Sequence, residues 1–400
     1  MVPSPPVRAP DVVVIGGGVV GCAVAYFAAM RGLRVCLVDR LGIAGGTSGS
    51  CQGHLMVTPS PEYFLKLTRA SVRLWRELVG VLADFEFRDT GCLWLAEEAR
   101  DVALLHEVAT MFASGGLKTT RLDQKGLRAL EPGLAEDLPG ALLFEGDAVV
   151  MPMKAAGALL AGAMAKGCEV RTSCEVTGVR RGAGGRVDAV LTSQGEIPTK
   201  AVVNCAGVWT PDVTEAAGLG RVPIFPRRGD LAITAPLGGR VRRQILEVSY
   251  LRTAGGKAMV DPESGEVDPG AHAMNLQPQT HDTILIGSTR QFGSYERRVN
   301  RDLLRHSLAR AARYVPSLRE TSVVRTWSGL RPYPRDKYPL VGPLAELPGY
   351  FVASGHEGLG ITLAPITGKL ISEMLLGEAC SLDPGPLSPA RFGDSPGQPR

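Results

Sequence analysis

The sequence has no Cys-x-x-Cys pair, no heptad run, no collagen period and no internal repeat at spacings of about 20–50 residues. Its 8 cysteines, at positions 22, 36, 51, 92, 168, 174, 205 and 380, are scattered singly. That spacing excludes a disulfide framework or a zinc site. It reads as small hydrophobes in a reducing compartment, hence a cytoplasmic chain. Excess charge is also scarce: 44 Lys plus Arg stand against 40 Asp plus Glu, a net +4. Nothing therefore marks nucleic acid or an anionic membrane as a partner. No Ser-His-Asp order, His-Glu-x-x-His motif or acidic cluster is present, so hydrolysis and metal catalysis have no support and no metal is expected.

What is present is globular material. Its 400 residues predict two or three domains at ~100–200 residues each. With 44% hydrophobic and 21% charged residues, the chain as a whole is not disordered. The uncharged run 12–30 meets the length rule for a spanning helix, but Asp11 stands at its start and no signal cleavage site follows. The run also changes character midway, from the β-branched Val12-Val13-Val14-Ile15 to Gly16, Gly17, Gly18 and Gly21. That is a strand, a tight turn and a small-residue helix over 19–31, and no transmembrane segment is expected.

Gly16-x-Gly18-x-x-Gly21 has the spacing of a dinucleotide-binding turn. The first glycine permits the turn, the second lets a pyrophosphate approach the backbone, and the third lets helix and strand pack closely. The next strand, 34–39, ends in Asp39, 18 positions after Gly21, where an acid can reach a ribose. The motif leaves open which dinucleotide is bound. Thr47-Ser48-Gly49-Ser50 offers amides and hydroxyls suited to phosphate oxygens. Residues 201–209 read as another buried strand running into a glycine turn. Residues 350–355 form a strand that runs through Gly355-His356-Glu357-Gly358-Leu359-Gly360 into a helix over 362–376.

Between these blocks, helices are expected over 61–82, 102–113, 123–130, 152–166 and 303–314. Residues 85–95 read as paired strands around Thr90-Gly91, and 169–180 and 186–192 as two strands across a glycine turn. A nucleotide fold interrupted by antiparallel segments predicts an α/β chain, with a Rossmann-like domain interleaved with an antiparallel-sheet α+β substrate domain. The first takes 11–83, 141–222 and 325–378, and the second 84–140 and 223–324. Residues 1–10 and 381–400, rich in Pro, Gly and Ser, read as loose termini, and 261–270 as a mobile loop.

The stretches GGGVVGCAVAYFAAMRG, TSGS, VVNCAGVW, WSGLRP and ASGHEGLGITLAP stand in the order seen in the FAD-dependent amine and amino-acid oxidoreductases. That family includes glycine oxidase, D-amino-acid oxidase and the sarcosine oxidase β subunit. The resemblance covers residues 11–378, and the GHEGLG form looks most like the proline and D-hydroxyproline dehydrogenase β-type subunits. It implies FAD as cofactor and oxidation of a small amino or imino acid, such as D-hydroxyproline, proline or another D-amino acid, by hydride transfer from the α-carbon to flavin N5. Glycine or sarcosine oxidation to hydrogen peroxide, and a non-catalytic electron-relay subunit, are the alternatives. The electron acceptor stays open among oxygen, a quinone and a redox centre in a partner subunit, as does association with other dehydrogenase subunits.

Carried onto this sequence, the resemblance implies that Gly16, Gly18 and Gly21 hold the pyrophosphate, with Asp39 on the adenosine ribose and Arg40 beside it. Most relatives have Glu where this chain has the shorter Asp39. Thr47 and Ser48 would bind phosphate, and Gly53, His54 and Leu55 would pass beside the isoalloxazine. Val176 would meet the adenine, and Ala206, Gly207 and Trp209 would line the cofactor. Gly355, His356, Gly358, Leu359, Gly360, Ile361 and Thr362 would cradle the flavin pyrimidine edge. Fixed amides there would stabilise the charge that reduction places on the ring. Arg331 matches the arginine that pairs with the substrate carboxylate, gripping both oxygens. His272 and Met274 stand where glycine oxidase-like enzymes place a His and a Tyr. Met274 in place of a tyrosine predicts a more apolar pocket for a larger or ring-containing amine. His54 or His356 could assist proton movement.

Overall fold

The computed structural model describes residues 8–59, 61–249 and 274–392. Strand parity sorts the first residues between two cores, because successive side chains of a strand point to opposite faces. In the fully buried strand Val12–Ile15, Val12 and Val14 join the core under the helices. Val13 and Ile15 join a second core with Cys36, Val190 and Val202. A strand buried on both faces is the continuous β-branched run read in the sequence.

Val12–Ile15 lies inside a six-stranded sheet with the order Leu340–Pro343, Tyr350–Ser354, Ala201–Asn204, Val12–Ile15, Val35–Val38, Glu169–Arg171. All of its pairings are parallel except that of Leu340–Pro343 with Tyr350–Ser354. Helices Val19–Met30, Pro152–Met164 and Gly360–Leu375 contribute to the first core, and a three-stranded antiparallel sheet, 176–198, contributes to the second. The expected strand over 169–180 is thus split. Glu169–Arg171 belongs to the large parallel array, and only Val176–Arg181 pairs with Val187–Thr192.

The second unit is an eight-stranded sheet in the order Val323–Pro334, Ile224–Thr234, Ile284–Gly287, Asn275–Pro278, Gln244–Glu247, Cys92–Ala96, Gly140–Phe144, Thr120–Asp123. Leu93, Leu95, Leu143, Ile245 and Ile286 share one core with Ala311 and Tyr314 of helix Arg301–Tyr314. Cys92, Trp94, Leu142 and Leu246 face the other way, toward the first core. The hairpin expected over 85–95 does not form. Cys92–Ala96 pairs with Gly140–Phe144 and Gln244–Glu247, and Arg88 makes only an isolated bridge to Val149. The segment boundaries expected at 141 and 325 fall inside strands of this sheet.

Two expectations about mobile segments are also altered. Residues 381–392 are not loose, because Leu387 and Phe392 are buried and Arg391 pairs with Asp336 at 2.6 Å. Two apolar anchors hold a stretch whose composition disfavours regular structure. The expected loop 261–270 lies outside the described residues, as do most of the first ten and residues 393–400 of the expected loose C-terminus. No helix of the described residues is long and apolar enough to cross a membrane.

Candidate functional site

A cavity of about 1060 Å³ runs from the first glycine turn to the inner face of the eight-stranded sheet. Its size exceeds the ~300–1,000 Å³ common for small-ligand pockets. At one end, helix Val19–Met30 starts without a side-chain cap of its own and without an acid in its first turn. Instead the Val19 amide donates to Ser48 Oγ at 2.9 Å, a contact across 29 residues. Gly16 has φ 110°, which favours glycine, and a methyl on Gly21 would overlap the carbonyl oxygen of Gly16. Gly16, Gly18, Thr47 and Ser48 all reach the cavity wall, and Thr47 also donates its hydroxyl to Leu330 O.

Asp39 is on the wall too, but its carboxylate is partly used by the chain. Oδ2 accepts from the Gly17 amide and Oδ1 from those of Leu41 and Gly42, each at 2.7 Å. A carboxylate offers roughly four acceptor positions, so one remains for a ribose hydroxyl. Arg40 lies 4.6 Å over the Trp209 ring, and Val176, Ala206 and Gly207 complete this end.

The opposite end is the turn before helix Gly360–Leu375. Pro365 inside that helix has no amide to give the Ile361 carbonyl, and the Trp75 indole supplies the bond at 2.9 Å. Ser71 Oγ donates to Thr362 O at 2.6 Å and accepts from the Ile366 amide. Helix Glu62–Leu78 therefore anchors the turn from behind. His356, Gly358, Leu359, Gly360 and Ile361 line the cavity. Gly21, Gly53, Leu55, Gly355 and Thr362 stand behind the wall. The Thr362 hydroxyl ties His54 O to the Met56 amide, and Gly53 has no room for a side chain against Val150 O.

His54 lines the cavity with Nε2 2.9 Å from Asp147 Oδ2, while Asp147 Oδ1 accepts from the Val57 amide at 2.9 Å. Cys92 lies beside this pair, and the ligating atoms of the three are within 4.8 Å of one another. Burial pushes the Cys92 thiol well up, and the His–Asp hydrogen bond uses His54 Nε2 and one Asp147 oxygen while the Val57 amide uses the other. Burial pushes His356 down to about 3, so its ring is neutral near pH 7, with Nε2 2.9 Å from Thr367 Oγ1.

Arg331 sits opposite Arg227 in the pairing of Val323–Pro334 with Ile224–Thr234. Its guanidinium lies over Gly229, where an added methyl would be 2.7 Å from Cζ. Nη1 donates to Thr289 O at 3.2 Å and Nη2 donates to Ser288 Oγ. Glu357 reaches in from the second glycine turn. Its Oε1 accepts from Arg227 Nη1 at 2.8 Å and lies 3.9 Å from Arg331 Nε. Burial pushes the Glu357 carboxyl up, but Arg227, Arg331 and Arg290 more than offset this and hold it below its ordinary value.

Met274 is not on the wall, contrary to expectation. It shares strand parity with Leu276, and both are fully buried in the core against helix Arg301–Tyr314. The neighbour of opposite parity, Asn275, lines the cavity with Gln52 and Ser288, beside the apolar Leu246, Trp94 and Leu231 of the same wall. His272 lies outside the described residues. Sequence reasoning missed Asp147, Asn275, Ser288 and the pairing role of Glu357. Only Glu357 left a signal, as an acid inside a glycine turn.

The family model described as FAD dependent oxidoreductase matches residues 11–374. The hydrogen cyanide synthase subunit HcnC of Pseudomonas aeruginosa is 28% identical, over 97% of this chain and 98% of that protein. Glycine oxidase of Geobacillus kaustophilus is 29% identical, over 95% and 97%. The crystal structure of a glycine oxidase from Geobacillus kaustophilus superposes with a TM-score of 0.84 at 26% identity, covering 96% of this chain and 98% of that one. The L-proline dehydrogenase from P. horikoshii shares the fold at a TM-score of 0.84 and 24% identity, covering 96% and 98%.

Proposed function

Since the chain belongs to the FAD-dependent oxidoreductase family, and is an FAD-dependent amino-acid or amine oxidoreductase acting on CH–NH or CH–NH2 groups, we propose that its substrate is a small α-amino acid of the glycine or N-methylglycine type, held by Arg331. The observation that carries this reading is the Arg331 guanidinium, braced by Ser288 and Thr289 over Gly229 in a cavity wall completed by polar Asn275 and Gln52. Ring acids such as proline and D-hydroxyproline are the second reading. Met274 lies in the core and makes no apolar pocket for them, while an L-proline dehydrogenase shares the fold.

The residues present fit FAD. The glycine turn and helix start at 16–20 leave the backbone open to a pyrophosphate, with Ser48 at the Val19 amide. Asp39, Arg40, Val176, Ala206, Gly207 and Trp209 would take the adenosine, and 356–361 the flavin edge with His54 beside the ring. A methyl at Gly358 would meet nothing within 4 Å, so that face of the turn is clear for a planar group. Bound FAD supplies an acceptor at N5 for the hydride that leaves the substrate α-carbon.

The rest is positioning. Arg331 fixes the carboxylate and with it the direction of the α-carbon; reacting atoms must come within ~3–3.5 Å. His54, hydrogen-bonded to Asp147 at the cavity wall, is the group we propose to assist proton movement at the substrate amine.

An anaerobic screen of the yellow holoprotein with glycine, sarcosine, D-alanine, proline and the hydroxyproline isomers tests the substrate. Bleaching by glycine or sarcosine first is the expected result, bleaching by ring acids alone overturns it, and bleaching by none assigns an electron-relay role. Re-oxidation by air then distinguishes oxygen from a quinone or a partner-subunit centre as acceptor. Arg331→Ala is expected to retain FAD and lose about 3–5 kcal/mol of transition-state stabilisation, a ~10²–10⁴-fold fall in kcat/KM.

A further inference from the structure

The carboxylate of Glu357 stands on the same cavity wall as Arg331 and belongs to the other side of the site. Its backbone lies in the turn 355–360, at φ 50°, and its side chain is 21% exposed. Oε2 accepts from the Gly358 amide, and Oε1 bonds Arg227. Arg227 is buried, with its guanidinium 5.4 Å over Phe292 and 5.1 Å over Tyr333. Glu357 is thus held on one side by its own turn and on the other by a packed arginine, and it cannot swing away when a ligand reaches Arg331.

We propose that Glu357 is a specificity-determining residue which, by placing a fixed negative charge beside the carboxylate site of Arg331, admits zwitterionic amino acids and weakens the binding of simple carboxylate anions. The inference rests on the reading of Arg331 as the carboxylate site. A carboxylate bound at Arg331 meets the repulsion of Glu357 at a poorly solvated wall, where charges a few ångströms apart interact by enough to change affinity tenfold or more. An amino acid entering as a zwitterion carries its own ammonium, and the repulsion is largely cancelled. Oxidation removes that compensation. A primary amino acid zwitterion gives up a hydride from its α-carbon to the bound flavin and a proton from its nitrogen, two electrons and two protons in all, to become an iminium acid, and water converts this to an oxo acid with release of ammonium. The oxo acid is a net anion, so the charge that tolerates the substrate disfavours the product and hastens its release.

The test uses the FAD-loaded protein titrated with sodium acetate at constant ionic strength, followed by the shift in flavin absorption and by calorimetry. Glu357→Gln keeps an oxygen for Arg227 and removes the charge; it is expected to bind acetate about tenfold more tightly than the wild type. Glu357→Asp keeps the charge and is expected to stay within about threefold of the wild type. Acetate affinity unchanged or weaker in Glu357→Gln overturns the inference. Arg331→Ala separates the two readings. If it binds acetate like the wild type, the carboxylate site itself is wrong; if it loses acetate while Glu357→Gln matches the wild type, only the role of Glu357 falls. Should Glu357→Gln not retain FAD, the wild type alone decides by glycine and acetate measured anaerobically. Glycine is expected to bind at least tenfold more tightly, and equal affinity, or none for either, overturns the inference.

Discussion

At the turn 16–21 a methyl on Gly16 would lie 2.6 Å from Cys205 O, and one on Gly21 would overlap Gly16 O; at the turn 355–360 a methyl on Gly358 would meet nothing within 4 Å, and one on Gly360 only His356 Cβ at 3.6 Å. Both turns open a helix toward one cavity. The first needs glycine because the polypeptide packs against itself, strand against helix. In the second, Gly355 is required by its own φ of 77° and by Leu340 Cδ1, 3.2 Å from an added methyl, but Gly358 and Gly360 have space to spare in the bare chain, so those two answer to whatever lies in the cavity. A glycine-rich turn thus has two distinct physical causes, and the space around each residue tells them apart.

Substitutions can break that distinction. Gly21→Ala carries the largest expected effect: a backbone overlap that no side-chain rotation relieves lowers stability by about 3 kcal/mol or more in a denaturant titration, with loss of bound flavin. An unaltered midpoint would remove the first half of the contrast.

The second turn makes its own contribution to stability through His356. Its folded pKa of about 3 lies below the ordinary 6.5. Between those values the unfolded chain holds a proton that the folded chain does not, so stability falls as pH drops through this window and is retained above it. The slope from this residue approaches about 1.4 kcal/mol per pH unit. His356→Gln is expected to flatten acid unfolding by that amount; an unchanged slope would mean the ring is not buried neutral. Gly358→Ala has the smallest expected effect on the fold, within about 0.5 kcal/mol, while FAD affinity falls roughly tenfold by fluorescence titration. Lost stability with normal FAD affinity would reverse the assignment of the two turns.

Much of this was legible in the residues. The β-branched run at 12–15, the glycine spacing after it and Asp39 define the parallel unit because local spacing suffices there. The 169–180 segment and the 85–95 hairpin depart from expectation because a strand's partner is chosen by distant residues. Met274 shows the finer limit: a shift of one residue moves a side chain through the sheet, and only the pairing with Ile284–Gly287 decides which of Met274 and Asn275 faces the cavity. Likewise, His54 and Asp147 are far apart in sequence, and no spacing rule foretells their hydrogen bond. Asp39 was found by its position, but the three amides that claim its carboxylate come from turns whose shape the sequence does not state.

The central strand Val12–Ile15 is bordered by Ala201–Asn204, which is bordered in turn by Tyr350–Ser354, and the wall at 353–361 closes the cavity. On a ribosome the opening glycine turn emerges long before the piece at 353–361 that completes the pocket. Tight capture of the coenzyme needs both, so it has to wait until that later piece has been made.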